Sequence, residues 1–262
     1  MGPNAMWQKR VIAAAFAGAM LFGAVHVAPA QTAASGQESQ IQTDVAKALD
    51  KKQFHDVTVN VLGNTVVLSG TVSTYADKED ADRRAHHRKN VHGVQNEIRV
   101  AGAEVDDTTL RNKLAEKLEY DRVGYGTTAF NAMTVAVQNG VVTLGGVAYG
   151  PPDRDSAVSL VANTPGVKDV IDNIEIAPLS PNDDRIRIEE ARAIYGFSTL
   201  SKYAMDPGKP IRIMVVNGNV TLAGVVDTQA DKDTANIRAN GVSGVFKVTN
   251  LLQVVNQKRS ER

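Results

Sequence analysis

The stretch "NGNVTLAGVV" (residues 217–226) restates "NGVVTLGGVA" (139–148), which in turn restates "GNTVVLSGTV" (63–72). Aligned on this phrase, Gly70, Gly146 and Gly224 fall together. Each is followed by a Gly-Val pair, whose glycine (Gly93, Gly166 or Gly244) stands 23, 20 and 20 residues downstream. Self-similarity on a period of roughly 70 to 80 residues marks a tandem array of one small unit. The first copy carries three extra residues around "RRAHHRKN".

Each copy reads as α-β-β-α-β. Ile41, Val45, Ala48 and Leu49 lie on one helical face, as do Leu110, Leu114 and Leu118 in the second copy. The third opening stretch, "DDRIRIEEARAIYGF", is less regular but still helix-forming. Val57, Val59 and Val61 then alternate as a strand, the chain turns at Gly63-Asn64, and Val66 and Leu68 resume. The later turns are Asn139-Gly140 and Asn217-Gly218, the strongest short hairpin signal. A second helix follows, with Ala157, Leu160, Val161 and Thr164 on one face. The glycine of the Gly-Val pair is expected to stop it by supplying a positive φ. A closing strand completes the unit.

The predicted fold class is therefore α+β: three tandem units, each a small three-stranded sheet covered by two helices, at 39–101, 106–177 and 182–256. The six repeat-defining glycines are read as structural, with Gly70, Gly146 and Gly224 admitting a close backbone approach at the core edge. "AGAEVDD" (101–107) and "APLSPND" (177–183) read as linkers.

The first 30 residues differ in kind. Lys9 and Arg10 precede an uncharged run, "VIAAAFAGAMLFGAV", of 15 residues, too short for a comfortable membrane span. Ala28-Pro29-Ala30 has the small-x-small form of a signal-peptidase site, so a secretory signal (1–30) cleaved after Ala30 and an exported mature chain are expected. Residues 31–38 are expected to be disordered, and "NQKRSER" (256–262) to be a frayed tail. Without Lys9 and Arg10 the chain has 27 basic and 29 acidic residues, a balance that argues against a general nucleic-acid binder. It has no cysteine, which excludes disulfides, thiolate nucleophiles and Cys-based metal sites.

The phrases "VVLSGTVSTYADKEDA…HGVQNEIRV", "VTLGGV…PGVKDVIDNIEI" and "NGNVTLAGVVDTQADKDTANIRANGVSGVFKVTNLL" resemble the BON domain family, named for bacterial osmotically inducible protein Y and nodulation proteins. The resemblance implies an αββαβ fold, an envelope location and binding of phospholipid or other hydrophobic envelope ligands under osmotic stress. It implies no catalytic motif, so no active site, cofactor or metal is carried over and the chain is expected not to be an enzyme. Two departures stand out, the long insertions "YDRVGYGTTAFNA" and "GFSTLSKYAMDPGKP" between first helix and first strand of the later copies.

Two surfaces carry the candidate chemistry. The densest charge run, "DKEDADRRAHHRKNVH" (77–92), offers Arg83, Arg84, Arg88 and Lys89 as a candidate lipid-binding site, with His86, His87 and His92 adding charge below about pH 6.5. Near an anionic membrane each cation contributes on the order of 1 kcal/mol. The same run also reads as acids opening a helix and bases closing it, which the helix dipole favours with no partner. His86, His87 and His92 lack the i, i+4 spacing of a helical zinc pair, so no metal site is expected. "GYGTTA" (124–129) imitates a dinucleotide fingerprint but follows a helix inside a loop, and is set aside.

The inserted loops supply Tyr120, Tyr125, Phe130, Tyr195, Phe197 and Tyr203 as candidate interaction residues. Rings with an apolar body and a polar tip suit a lipid or protein interface, and equally suit the cap of a small core. The expected function is a non-enzymatic periplasmic module that binds phospholipid surfaces or apolar envelope ligands. The alternative is a holdase or scaffold for envelope proteins.

Overall fold

The computed structural model describes residues 30–255, apart from 103, 124 and 179. The expected signal and tail lie outside the described residues, except for Ala30. Three α+β units follow one another, as the repeats imply.

The first unit comprises α1 (Ala30–Ala48), β1 (Val57–Leu62), β2 (Thr65–Val72), α2 (Tyr75–His86), β3 (Gly93–Asn96) and β4 (Arg99–Val100). In the second these become α3 (Asp107–Glu119), β5 (Ala132–Gln138), β6 (Val141–Ala148), α4 (Pro151–Ala162), β7 (Asp169–Asp172) and β8 (Glu175–Ile176). The third has α5 (Pro181–Tyr195), α6 (Lys202–Met205), β9 (Arg212–Val216), β10 (Asn219–Ala223), β11 (Val225–Val226), α7 (Gln229–Asn240), β12 (Lys247–Asn250) and β13 (Gln253–Val254).

One topology serves all three. The hairpins pair antiparallel, β1 with β2, β5 with β6 and β9 with β10. The last strand returns beyond the second helix and pairs parallel with the central strand. It comes in two pieces, broken after Asn96, Asp172 or Asn250. Each of these side chains accepts from the backbone N–H two residues on, that of Ile98, Ile174 or Leu252. The interruption is thus a built feature: it turns those three apolar side chains into the core.

Alternation then assigns the faces. Val66 and Leu68, Val142 and Leu144, and Val220 and Leu222 are all fully buried and face the helices. The second helices answer with small residues one turn apart: Ala81 and Ala85, Ala157 and Val161, Ala235 and Ala239. The first helices contribute Ile41 and Val45, with Leu49 just past the end of α1, or Leu110 and Leu114.

Several details depart from expectation. α1 runs through residues 31–38, which were expected to be disordered; no proline breaks it, and the Glu38 carboxylate accepts from the Gly63 N–H at 2.7 Å. Gly70, Gly146 and Gly224 have φ of 109°, 86° and 124°. A Cβ at any of them would run into the backbone carbonyl of Asp56, Ala132 or Pro210. The close approach is therefore made by the chain entering the first strand. The Gly-Val pairs do not cap the second helices, which end at His86, Ala162 and Asn240, several residues earlier. Gly166 and Gly244 do take positive φ, of 97° and 87°, but Gly93 does not, and in that loop Asn90 is left-handed at 65°.

Candidate functional site

Two carboxylates in each unit decide how its loops are held. The first belongs to the opening helix. Asp107 accepts from Asn139 N–H at 2.6 Å and Gly140 N–H at 2.9 Å, and Asp183 accepts from Asn217 and Gly218 N–H, both at 2.8 Å. Both turns have positive φ at both central residues, which leaves the two N–H groups side by side for one carboxylate. Glu38 makes the single corresponding bond in the first unit. These acids stand three residues before Ile41, Leu110 and Ile186, a buried apolar position near the start of each helix's core-facing stripe.

The second acid lies in the first turn of the second helix, at Asp77, Asp153 and Asp231. Here the units diverge. Asp153 is buried and accepts from Arg122 Nε at 3.0 Å, Thr127 Oγ1 at 2.6 Å and Asn131 Nδ2 at 3.0 Å, all from the inserted loop. Asp231 accepts from Tyr203 Oη at 2.8 Å and Lys202 Nζ at 3.1 Å, again from the insertion. Burial raises the Asp231 carboxyl, but the bonds from Tyr203 and Lys202 outweigh it and hold the group below its ordinary range. Asp77 has, among the described residues, its capping partner Thr74 alone, since no insertion reaches it.

The expected lipid patch is spread around the end of α2. Arg83 and Arg84 both pair with Asp80, at 2.5 and 2.7 Å. The Arg88 guanidinium donates to the Arg84 carbonyl at 3.1 Å and is exposed, as is Lys89. The basic loop is tied to the tip of the β1–β2 hairpin: Asn64 Nδ2 donates to the Asn90 carbonyl at 2.7 Å, and the His92 N–H donates to the Asn64 carbonyl at 2.9 Å. At that tip Leu62 is 71% exposed. Two cations thus remain at an end of the unit that also presents an apolar side chain. His86 pairs with Asp82, and the ring of His87 meets the Arg83 carbonyl. Among the described residues no group of three or more His, Asp or Glu is placed to hold a metal, and no helix is long and apolar enough to cross a membrane.

The six loop aromatics divide. Tyr203 is buried, its hydroxyl engaged by Asp231 and by the Asp227 N–H at 2.7 Å. Tyr195 donates to the Ile211 carbonyl, and burial raises its hydroxyl well above the usual phenol range. Phe130 leaves the second unit to pack on the third core and lies 5.6 Å from the Tyr149 ring. Tyr120 and Tyr125 stay exposed, Tyr125 under the Arg122 guanidinium at 4.2 Å, and Phe197 is partly exposed beside Arg238. Phe130, Tyr195 and Tyr203 therefore come together along one cleft between the second and third units, while the other three do not.

Arg212 joins those two units by donating to the Thr128 and Asn131 carbonyls at 2.9 and 2.8 Å. Burial lowers its pKa while Glu119 opposes the shift, and burial raises Glu119 while Arg212 opposes that. One further residue escaped the pattern reading. Glu190 is fully buried in α5, and among the described residues neither of its carboxylate oxygens has a hydrogen-bond partner. Counting from Ile186, it occupies the position held by Val45 and Leu114 in the other units. Burial pushes it up to about 8. The loss of helical regularity in "DDRIRIEEARAIYGF" was the trace it left in the sequence.

Three units of strands backed by helices, with one sheet in each of the first two and a three-stranded and a two-stranded sheet in the third, define a tandem array of small α+β modules joined by short linkers. The chain belongs to the BON domain family, whose sequence model matches residues 37–102, 106–178 and 198–256. The third match begins after α5, which nevertheless contributes Ile186 and Ile194 to the third core. The osmotically-inducible protein Y of Escherichia coli K12 is 23% identical over 194 residues, spanning 72% of this chain and 92% of that protein. A protein of Anaplasma centrale, described as uncharacterized and in the gshII 5′ region, is 26% identical over 125 residues, 47% of this chain and 83% of its own. Among solved structures, CdsD, a structural protein of the type III secretion system of Chlamydia trachomatis, matches 85% of this chain and 99% of its own at 14% identity and a TM-score of 0.24. A likeness at that score bears on neither fold nor function.

Proposed function

We propose that this chain is a non-enzymatic periplasmic protein of osmotic-stress protection that docks on anionic phospholipid surfaces through the end of its first unit. The observation carrying this reading is the exposed Leu62 on a hairpin tip hydrogen-bonded to the loop that bears Arg88 and Lys89. Two cations with no carboxylate partner among the described residues give about 2 kcal/mol near an anionic surface, roughly thirtyfold in affinity, and insertion of Leu62 adds a term of similar size. Arg83 and Arg84 add less, because Asp80 sits on both. An exposed ion pair is itself worth roughly 0.2–1 kcal/mol, no less than much of what a lipid headgroup would return for breaking it. The stress context rests on the name of the Escherichia coli relative, and the periplasmic location on the N-terminal pattern.

Vesicle co-sedimentation of residues 31–262 tests the reading. Binding to anionic vesicles that high salt abolishes, with none to zwitterionic vesicles, supports it. Equal binding to both, or to neither, sinks it.

A second reading, capture of protein clients, draws on the third unit, where Ile237, Phe246 and Leu251 are 70%, 81% and 59% exposed. Suppression of aggregation of an unfolded outer-membrane protein, lost on Phe246→Ser, would favour that reading instead.

A further inference from the structure

The cleft between the second and third units has a lining that selects for a particular chemistry. Its volume is about 430 Å³, within the range of small-molecule sites. Phe130 and Ala129 come from one inserted loop, Pro207 and Pro210 from the other, and Ala191 and Tyr195 from α5. Beside Phe130 the cleft continues as an open groove along α5 that is also lined by Ile188 and Arg192 and shares Phe130, Ala191 and Tyr195. Ile188, Ala191, Arg192 and Tyr195 are spaced i, i+3, i+4 and i+7, so they form one stripe down the outer face of the helix.

Few polar groups along this trough are free to meet an occupant. The hydroxyls of Tyr195 and Tyr203 are already committed to the Ile211 carbonyl and to Asp231, and offer nothing to an occupant. A peptide laid there would leave its backbone groups desolvated without side-chain partners, at a cost of roughly 1–3 kcal/mol each. An aliphatic chain has no such groups. Two exposed groups of opposite charge border it, Asp206 in the cleft and Arg192 in the adjoining groove. Among the described residues the Arg192 guanidinium has no hydrogen-bond or ion-pair partner.

We infer that this trough binds a single-chain anionic amphiphile, with its aliphatic chain between Phe130, Ala191 and the loop prolines and its carboxylate or phosphate at Arg192. The inference extends the lipid-facing reading above but uses a surface from which Leu62, Arg88 and Lys89 are absent. It concerns one lipid molecule taken from the surface, whereas the first unit contacts the surface itself.

Fluorescence titration of the mature chain with cis-parinaric acid and with its methyl ester is the test. The wild-type protein is expected to bind the acid saturably at one site and the ester at least tenfold more weakly. Ala191→Trp, which fills the trough, should abolish both. Arg192→Glu, on an exposed position that leaves the core untouched, should weaken the acid at least tenfold and leave the ester unchanged. Absence of saturable binding, or an acid affinity unmoved by Arg192→Glu, overturns the inference even if Ala191→Trp fails to fold. A lysophospholipid and a free fatty acid, used as competitors, then distinguish the phosphate from the carboxylate headgroup. Vesicle binding through the first unit should survive both substitutions, so that failure here is separable from failure of the surface-docking reading.

Discussion

The first unit and the later two share a topology yet differ at one joint, between the opening helix and the hairpin. In the first, a short connection with a single 3-10 turn, Lys52–Phe54, tucks Phe54 into its own core. In the second and third, insertions of a dozen or more residues fold back onto Asp153 and Asp231, and Phe130 and Arg212 knit the two units together. The difference teaches where this fold tolerates change. The sheet, with its glycines and buried Val-x-Leu pairs, is fixed by packing, whereas this loop can grow as long as an acid in the first turn of the second helix holds it. The first unit has no such insertion; the later two lean on each other and enclose a cleft.

The largest expected effect concerns the cores. Glu190 should keep its proton up to about pH 8 in the folded third unit, while in the unfolded chain it ionises near pH 4.5. Between those values the unfolded state binds fewer protons, so stability falls as pH rises and levels off above about 8. Glu190→Leu, which restores the residue type of Leu114, should gain about 4 kcal/mol at pH 8 and flatten that slope in urea unfolding. A wild-type curve already flat between pH 5 and 8, on the order of one window of titration, would contradict the assignment.

Next come the turn clamps. Asp183→Ala removes two charge-assisted hydrogen bonds and strands the buried Gly218 N–H, for a loss of about 3 kcal/mol. Glu38→Ala, which removes one bond at an exposed site, should cost under about 1 kcal/mol. Equal losses would mean the clamp matters no more in the later units than in the first. The loop pins rank third. Asp153→Ala should cost about 2 kcal/mol and loosen amide-exchange protection of the second insertion, against about 0.5 kcal/mol for Asp77→Ala.

Much of the fold was legible because packing repeats: the Val-x-Leu pairs, the Asn-Gly turns and the spacing of Leu110 and Leu114 each follow from burying one face of a strand or helix. What escaped was pairing across the fold. Nothing local marks Asp183 as the partner of a turn 34 residues away, although an acid recurs at that position in every copy. Thr74-x-x-Asp77 and Thr228-x-x-Asp231 announce helix starts, but not that one acid also holds an insertion and the other does not. The aromatics were recognisable as a set, and their division into buried, cleft-lining and exposed members depended on which loop met which unit. The four cations were legible too, but Arg83 and Arg84 reach back one turn to Asp80 and are taken up there.

The central claim, that the bare end of the first unit meets the membrane, is tested most directly by two paired variants in one vesicle titration. Arg88→Glu/Lys89→Glu should lower affinity for anionic vesicles at least thirtyfold at low salt, whereas Arg83→Ala/Arg84→Ala should lower it only a few-fold. Equal losses, or a larger loss for the second pair, would contradict the assignment of the contact to the hairpin tip and its basic loop.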